Sequence, residues 1–201
     1  GGGYNTSTIK KGENIMYTKE GLFLKYKFAK QMLEAEIDIL MEEFVFQHGY
    51  NPVEHIKSRI KSENSILAKL EKKGYSKTLS NINKHIYDAV GLRIVVSFLT
   101  DVYDIVSVIK KSKNIEVLEQ KDYIKNPKDT GYTSYHLLVS VPVYLSGKTE
   151  YVKAEIQIRT MAMDFWATLD HKIQYKFPTE IPEDVKVQMY ENSLIIKELD
   201  K

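Results

Sequence analysis

Tyr151-Val152-Lys153-Ala154-Glu155-Ile156-Gln157-Ile158-Arg159 alternates from end to end. Tyr151, Lys153, Glu155, Gln157 and Arg159 carry polar groups, and Val152, Ala154, Ile156 and Ile158 between them are apolar. Successive side chains of a β-strand point to opposite faces, so one face of this strand packs on a core. The other presents a carboxylate between cations and an amide. That face is either solvated or the lining of a site.

Working outward, Tyr135 to Leu145 reads as a second strand, joined to the first by a hairpin at Ser146-Gly147-Lys148. Val90 to Phe98, rich in Val, Ile and Leu, reads as a buried strand, and Ile115 to Ile124 as another. Asp101 to Lys111 and Met161 to Tyr175 read as helices, and a last helix runs from about Pro182 to Leu199. Upstream, Leu22, Leu33, Ile37, Leu40 and Phe44 recur at helical spacing, which predicts a long helix over Lys19 to Gln47, broken by Gly49-Tyr50-Asn51-Pro52. Pro52 is expected near the start of a second helix, Val53 to Lys73, with Gly74 as its C-cap. A loop with a short helix is expected over 75–87. The class is α+β, a mixed β-sheet flanked by helices. Residues 1–18 are polar and unpatterned and are expected to be flexible. Gly1-Gly2-Gly3, with no Met, reads as a processing scar.

A chain of 201 residues suits one domain plus extra helices, and its 43% apolar content suits a soluble core. The absence of cysteine excludes disulfides, thiol catalysis and zinc–thiolate sites. No apolar run approaches a membrane span and no signal peptide is visible, so a cytoplasmic protein without membrane contact is expected. A net charge of +2 does not make a global field for nucleic acid. The cations are clustered, however: Lys57, Arg59, Lys61, Lys69, Lys72 and Lys73 in one stretch, Lys121, Lys125 and Lys128 in another. Such local patches suit phosphate ligands.

On the expected second helix, Ile56, Ile60, Leu67 and Leu70 share a face, and Lys61, Ser65 and Lys69 follow one another four residues apart on the other. That second face is either a solvated lysine face or a phosphate-binding ridge. Arg59 falls near the apolar edge, where a guanidinium snorkels. Asp88 stands at the entrance of the apolar strand, Gly91 allows close approach, and Arg93 needs either a ligand or an internal carboxylate as partner. Asp88 and Glu155 are the candidate carboxylate pair. One or two carboxylates with substrate phosphates suit Mg²⁺, and a carboxylate on a rigid strand can take a proton from a hydroxyl. No Gly-x-x-x-x-Gly-Lys pattern occurs, so phosphoryl chemistry would need another scaffold. Tyr132, after Gly131, can offer a stacking face to a base, or it is a core aromatic; His136 is either structural or part of the site. Asp164, Thr168, His171 and Tyr175 form a polar stripe that is either solvated or a wall of the same cleft.

Together, Asp88–Arg93, the Lys121–His136 segment, Ala154-Glu155-Ile156-Gln157-Ile158-Arg159-Thr160 and Phe165-Trp166-Ala167-Thr168-Leu169-Asp170-His171-Lys172 resemble the synthetase domain of RelA/SpoT-type alarmone enzymes, and most of all the stand-alone small alarmone synthetases. The likeness covers roughly Asn51 to Phe177. It implies a nucleotidyltransferase-like fold and transfer of the β,γ-pyrophosphate of ATP to the ribose 3′-hydroxyl of GDP or GTP, making (p)ppGpp. By resemblance, Arg59 and Arg93 clamp the adenine end, and Lys61, Ser65 and Lys69 hold the ATP phosphates. Asp88 binds Mg²⁺, with Glu155 assisting and activating the 3′-hydroxyl. Tyr132 stacks on guanine, Lys121 and Lys128 face the acceptor 5′-phosphates, and His136, Gln157, Asp164 and His171 line the acceptor pocket.

Two positions depart from the family pattern. Thr133 stands where Arg is usual, which keeps open GMP or a tRNA 3′ end as acceptor, and Asp170 stands where Glu is usual. A non-catalytic nucleotide- or RNA-binding module is the remaining alternative, which intact Asp88 and Glu155 disfavour. No His-Asp dipeptide occurs, so hydrolysis of the product by this chain is not expected. The resemblance divides the chain into a flexible segment 1–18, a synthetase domain 19–177 and a C-terminal helix 178–201. That helix carries Val185, Val187, Met189, Leu194, Ile195, Ile196 and Leu199, apolar surface for a homotetramer, and single-stranded RNA or (p)ppGpp are the regulators the resemblance brings to mind.

Overall fold

A computed structural model describes residues 18–201. Except for Thr18, the segment expected to be flexible lies outside the described residues. Along the chain run α1 (Lys19–His48), β1 (Val53–Ile60), α2 (Glu63–Lys72), α3 (Leu79–His85), β2 (Val90–Val96), α4 (Leu99–Lys111), β3 (Glu116–Asp122), β4 (Tyr135–Tyr144), β5 (Thr149–Thr160), α5 (Met161–Lys176) and α6 (Glu183–Leu199). The alternating stretch lies in β5, at the centre of a five-stranded sheet ordered β1-β2-β5-β4-β3. β2 and β5 are parallel and the other pairs antiparallel, which makes the sheet mixed and the class α+β, as the sequence predicts.

The two faces separate by parity. Val90, Leu92, Ile94 and Val96 of β2, Leu137, Val139, Val141 and Val143 of β4, and Val152, Ala154, Ile156 and Ile158 of β5 are buried in one cluster. α1 packs across this side through Leu22, Ala29, Leu33, Ile37 and Leu40, and α4 through Val102, Ile105 and Ile109. Each fully buried aliphatic side chain contributes about 1.5–3 kcal/mol, so this layer carries the bulk of the fold's driving force. The odd-numbered residues of β5 lie on the opposite face of the sheet, where α5 forms one wall.

The helix expected over Val53 to Lys73 is instead a strand and a helix. Val53 to Ile60 forms β1, paired antiparallel to β2 from Val53↔Val96 to Ile60↔Val90, with a bulge between Val53 and His55. Ile56 and Ile60 are four apart, which fits a helix, but with Ser58 between them they also fit a strand period of two. The ladder to β2 decides for the strand. Ser62 then starts α2: its extended backbone and its hydroxyl, accepting from Ser65 N at 3.3 Å, form the N-cap. Two consequences follow. Arg59 is not a snorkelling helix residue but stands opposite Gly91 across the β1–β2 ladder. Lys61 does not share a helical ridge with Ser65 and Lys69 but precedes α2.

At the other end of β5, Thr160 closes the strand and caps α5, accepting from Met163 N at 3.2 Å. Its hydroxyl also donates to Asp200 Oδ2 at 2.6 Å, which ties down the end of α6. Trp166 Nε1 donates to Met189 O at 2.9 Å, so α6 lies against α5. Among the described residues no helix is long and apolar enough to cross a membrane.

Candidate active site

Register across the sheet sets the polar face in rows. Arg59, Gly91, Glu155 and Leu138 stand side by side, and Lys57, Arg93, Gln157, His136 and Lys121 form the next row. Five strands each contribute one residue to the second row. Two cavities open on this face. One, of about 680 Å³, is lined by Arg59, Arg93, Asp164, Thr168, Asp170 and His171 among others. The second, of about 420 Å³, is lined by Lys69, Lys73, His85, Lys121, Lys128 and His136 among others. Asp88, Tyr132, Glu155 and Gln157 belong to both walls, so the two cavities meet at the candidate carboxylates.

Asp88 sits between two ammonium groups, with Oδ2 2.6 Å from Lys61 Nζ and 2.7 Å from Lys69 Nζ. Burial pushes its carboxyl up, but the hydrogen bonds and charges of Lys61 and Lys69 together outweigh that and hold it below the usual carboxylate range. Its Oδ1 is buried without a hydrogen-bond partner among the described residues. A deprotonated carboxylate with one buried, unused oxygen is a fit donor for a hard cation, and the two carboxylates Asp88 and Glu155 match what Mg²⁺ takes from a protein when phosphates supply the rest.

Glu155 is held from both sides. Gln157 Nε2 donates to Oε1 at 2.7 Å, and His136 Nδ1 stands 3.8 Å from Oε2. Burial, with help from the charges of Lys128, Arg159 and Lys121, drives the His136 pKa down to about 4 against the pull of Glu155, so the imidazole is neutral near pH 7. The Tyr132 hydroxyl is 2.9 Å from His136 Nε2, and burial raises its pKa, which keeps it a hydroxyl. Lys128 Nζ lies 5.0 Å from the Tyr132 ring centre and 4.9 Å from that of Tyr123, which places a cation at the mouth of the second cavity.

A family profile, the region found in RelA/SpoT proteins, matches residues 58–180, which hold every residue lining the two cavities except Lys57. This chain belongs to the RelA/SpoT family. Within it, the chain falls among the small alarmone synthetases. It is 43% identical to the GTP pyrophosphokinase YwaC of Bacillus subtilis over 94% of this chain and 90% of that protein. The crystal structure of small alarmone synthetase 2 from Bacillus subtilis superposes with a TM-score of 0.82 at 43% identity, covering 90% of this chain and 94% of that one. Small alarmone synthetase 1 from Bacillus subtilis, bound to its product pppGpp, gives 0.82 at 34% identity, covering 90% and 92%.

In this alarmone synthetase the structure sorts the sequence-predicted residues unevenly. Arg59 and Arg93 share the first cavity, while Lys61 and Lys69 meet at Asp88. Lys121, Lys128, Tyr132, His136 and Gln157 gather around the second. Asp164 and His171 line the first cavity and not the second. Asp164 bridges Arg93 Nε at 3.4 Å, Arg159 Nη1 at 3.6 Å and His55 Nε2 at 3.8 Å. Ser65 lines neither cavity; it is exposed, with its hydroxyl 2.8 Å from that of Ser62. Lys73, from the basic stretch of the sequence, joins the second wall, and sequence reasoning missed His85 and Tyr87 there. The strand–helix boundary at Ser62 is the signal that could have turned attention from helical spacing to what surrounds Asp88.

Proposed function

We propose that this chain moves the β,γ-pyrophosphate of ATP to the ribose 3′-hydroxyl of GDP or GTP, yielding AMP and (p)ppGpp. The observation that carries this reading is the pair of cavities joined at Asp88 and Glu155; two adjoining cavities suit a reaction between two nucleotides. Arg59 and Arg93 hold the adenine of ATP in the first. Lys61 and Lys69 neutralise Asp88 and offer their remaining N–H groups to the phosphates. The acceptor lies in the second, its guanine on Tyr132 and its 5′-phosphates towards Lys121 and Lys128. The 3′-oxygen attacks the β-phosphorus, the bond from that phosphorus to the α,β-bridging oxygen breaks, and the 3′-hydroxyl proton passes to Glu155. Asp88, with Glu155, would hold Mg²⁺, which would supply positive charge to the phosphates; the unused Asp88 Oδ1 supports this assignment. Positioning and fixed charge carry the rate.

Incubation with ATP, Mg²⁺ and each of GMP, GDP and GTP, with products resolved by anion exchange, tests the reading. A guanosine 3′-pyrophosphate and AMP in equal amounts are expected, and their loss in Glu155→Gln. Folded protein that yields no such product from any acceptor would overturn it.

A further inference from the structure

Arg159 has no part in the transfer as set out above, yet its side chain is only 5% exposed and it stands at one end of a connected set of polar contacts. One arm runs along β5. Arg159 Nη2 donates to Gln157 Oε1, and Gln157 Nε2 donates to Glu155 Oε1 at 2.7 Å. The other arm crosses to the loop before β4. The same Nη2 lies 3.5 Å from Tyr132 Oη, Tyr132 Oη is 2.9 Å from His136 Nε2, and His136 Nδ1 is 3.8 Å from Glu155 Oε2. The guanidinium carbon is also 5.7 Å from the centre of the Tyr132 ring, the ring proposed to stack on a base.

The ends set the direction of the β5 arm. A guanidinium only donates and an ionised carboxylate only accepts. Gln157 must therefore turn its oxygen to Arg159 and its NH₂ to Glu155. Tyr132 accepts from Arg159, and when its own O–H donates to His136 Nε2 the imidazole carries its proton on Nδ1, facing Glu155. Both arms point the same way, from Arg159 to the two oxygens of one carboxylate. The β5 arm is tight; the Tyr132 arm has links at and beyond hydrogen-bond length. Asp164, 3.6 Å from Nη1, holds the guanidinium in place from α5.

We propose that Arg159 is a positioning residue: through Gln157, and through Tyr132 and His136, it fixes both oxygens of Glu155 and ties the acceptor's stacking ring to the group that takes the proton. This rests on the pyrophosphate transfer proposed above. A misplacement of about 1 Å at a reacting group can cost on the order of 10²-fold in rate.

The test uses the full chain with three variants. Arg159→Lys keeps the charge beside Asp164 but cannot serve two arms in a plane. It is expected to keep its melting temperature close to wild type while kcat falls about 10-fold to 100-fold and KM for ATP stays within about two-fold. Tyr132→Phe keeps the ring and cuts the second arm alone. Combined with Arg159→Lys it should cost less than the product of the two single effects, because both act on one carboxylate. Arg159→Lys with wild-type kcat would mean that Arg159 merely packs, and strictly multiplicative losses would mean that Arg159 and Tyr132 act separately; either overturns the proposal. Histidine ¹H–¹⁵N spectra of the wild-type protein give a readout that needs no turnover. The inference requires the His136 proton on Nδ1, and a proton on Nε2 reverses the Tyr132 arm and overturns it. A wild-type protein without product defeats the proposed transfer, and the His136 spectrum still decides the arrangement on its own.

Discussion

Lys61 Nζ lies 2.6 Å from Asp88 Oδ2, because antiparallel pairing of Ile60 with Val90 brings the residue after β1 beside the residues that lead into β2. Lys69, one turn before the end of α2, meets the same oxygen at 2.7 Å. A solvated lysine face would leave Lys61 and Lys69 free of a shared partner, so their convergence on Asp88 favours a phosphate site although the two do not share one helical ridge. Lys61→Ala or Lys69→Ala should lower kcat about 10²-fold. Each should also cost roughly 1–3 kcal/mol of stability, because a half-buried carboxylate loses a charged hydrogen bond. Steady-state kinetics beside urea unfolding separates the two effects; unchanged kcat in both variants returns these lysines to the surface.

Acid stability should be governed by His136 rather than Asp88. The Asp88 pKa is held below its ordinary 3.8, so its contribution is fully present above that value and is lost only as pH falls through the lower folded one. The His136 pKa is about 4 in the fold against an ordinary 6.5. Between these values the unfolded chain binds a proton that the folded chain refuses, so stability falls as pH drops from 6.5 towards 4, by at most about 1.4 kcal/mol per pH unit. Asp170 and Asp200, whose carboxyls are raised by burial, work in the opposite sense. The difference between wild type and His136→Gln therefore isolates the histidine. Urea unfolding in metal-free buffer at pH 7 and pH 5 should show a smaller loss in the variant, and an equal loss would mean that His136 takes its proton freely.

How much of this was legible follows from the range of each interaction. β5 and its hairpin partner β4 declare themselves through alternation and a glycine turn, and β2 through a stretch rich in Val, Leu and Ile that Gly91 and Arg93 interrupt. β1 does not, because Ile56 and Ile60 satisfy both periods and only pairing to β2 breaks the tie. Individual site residues were visible by type, but the row Lys57, Arg93, Gln157, His136 and Lys121 depends on the register of five strands, which no local pattern carries. Asp164 illustrates the limit. Its place on a polar stripe of α5 could be read from spacing, whereas its position beside Arg93 and Arg159 follows from how α5 meets the sheet.

Gly131 should prove intolerant of any side chain. Its φ is +92°, and a Cβ there would overlap the Ser193 side chain of α6 and meet Trp166 Cζ2 at 3.6 Å. The turn that contains it, closed by Gly131 N donating to Lys128 O at 2.8 Å, presents both Lys128 and Tyr132. Gly131→Ala is expected to cost about 1–3 kcal/mol from backbone strain and crowding together. It should also raise KM for the acceptor more than KM for ATP. Adding Ser193→Gly should recover part of the stability, since it removes the crowding and leaves the strained φ. No recovery would place the whole cost in the backbone.

The two cavities should separate the two nucleotides kinetically. Arg59 lines only the first of them and Lys121 only the second, while Tyr132 faces both. Arg59→Ala should therefore raise KM for ATP and leave KM for GDP near wild type, and Lys121→Ala should do the reverse. Tyr132→Ala removes a stacking face worth roughly 1–3 kcal/mol, so GDP binding should weaken about 10-fold to 100-fold. Binding can be followed without turnover, because Trp166 is the single tryptophan of the chain and its ring centre is 6.4 Å from that of Tyr132. GDP should change its fluorescence in wild type and in Arg59→Ala at similar concentrations, and only at much higher ones in Tyr132→Ala. An Arg59→Ala protein that loses GDP binding as well would mean that the two cavities act as one.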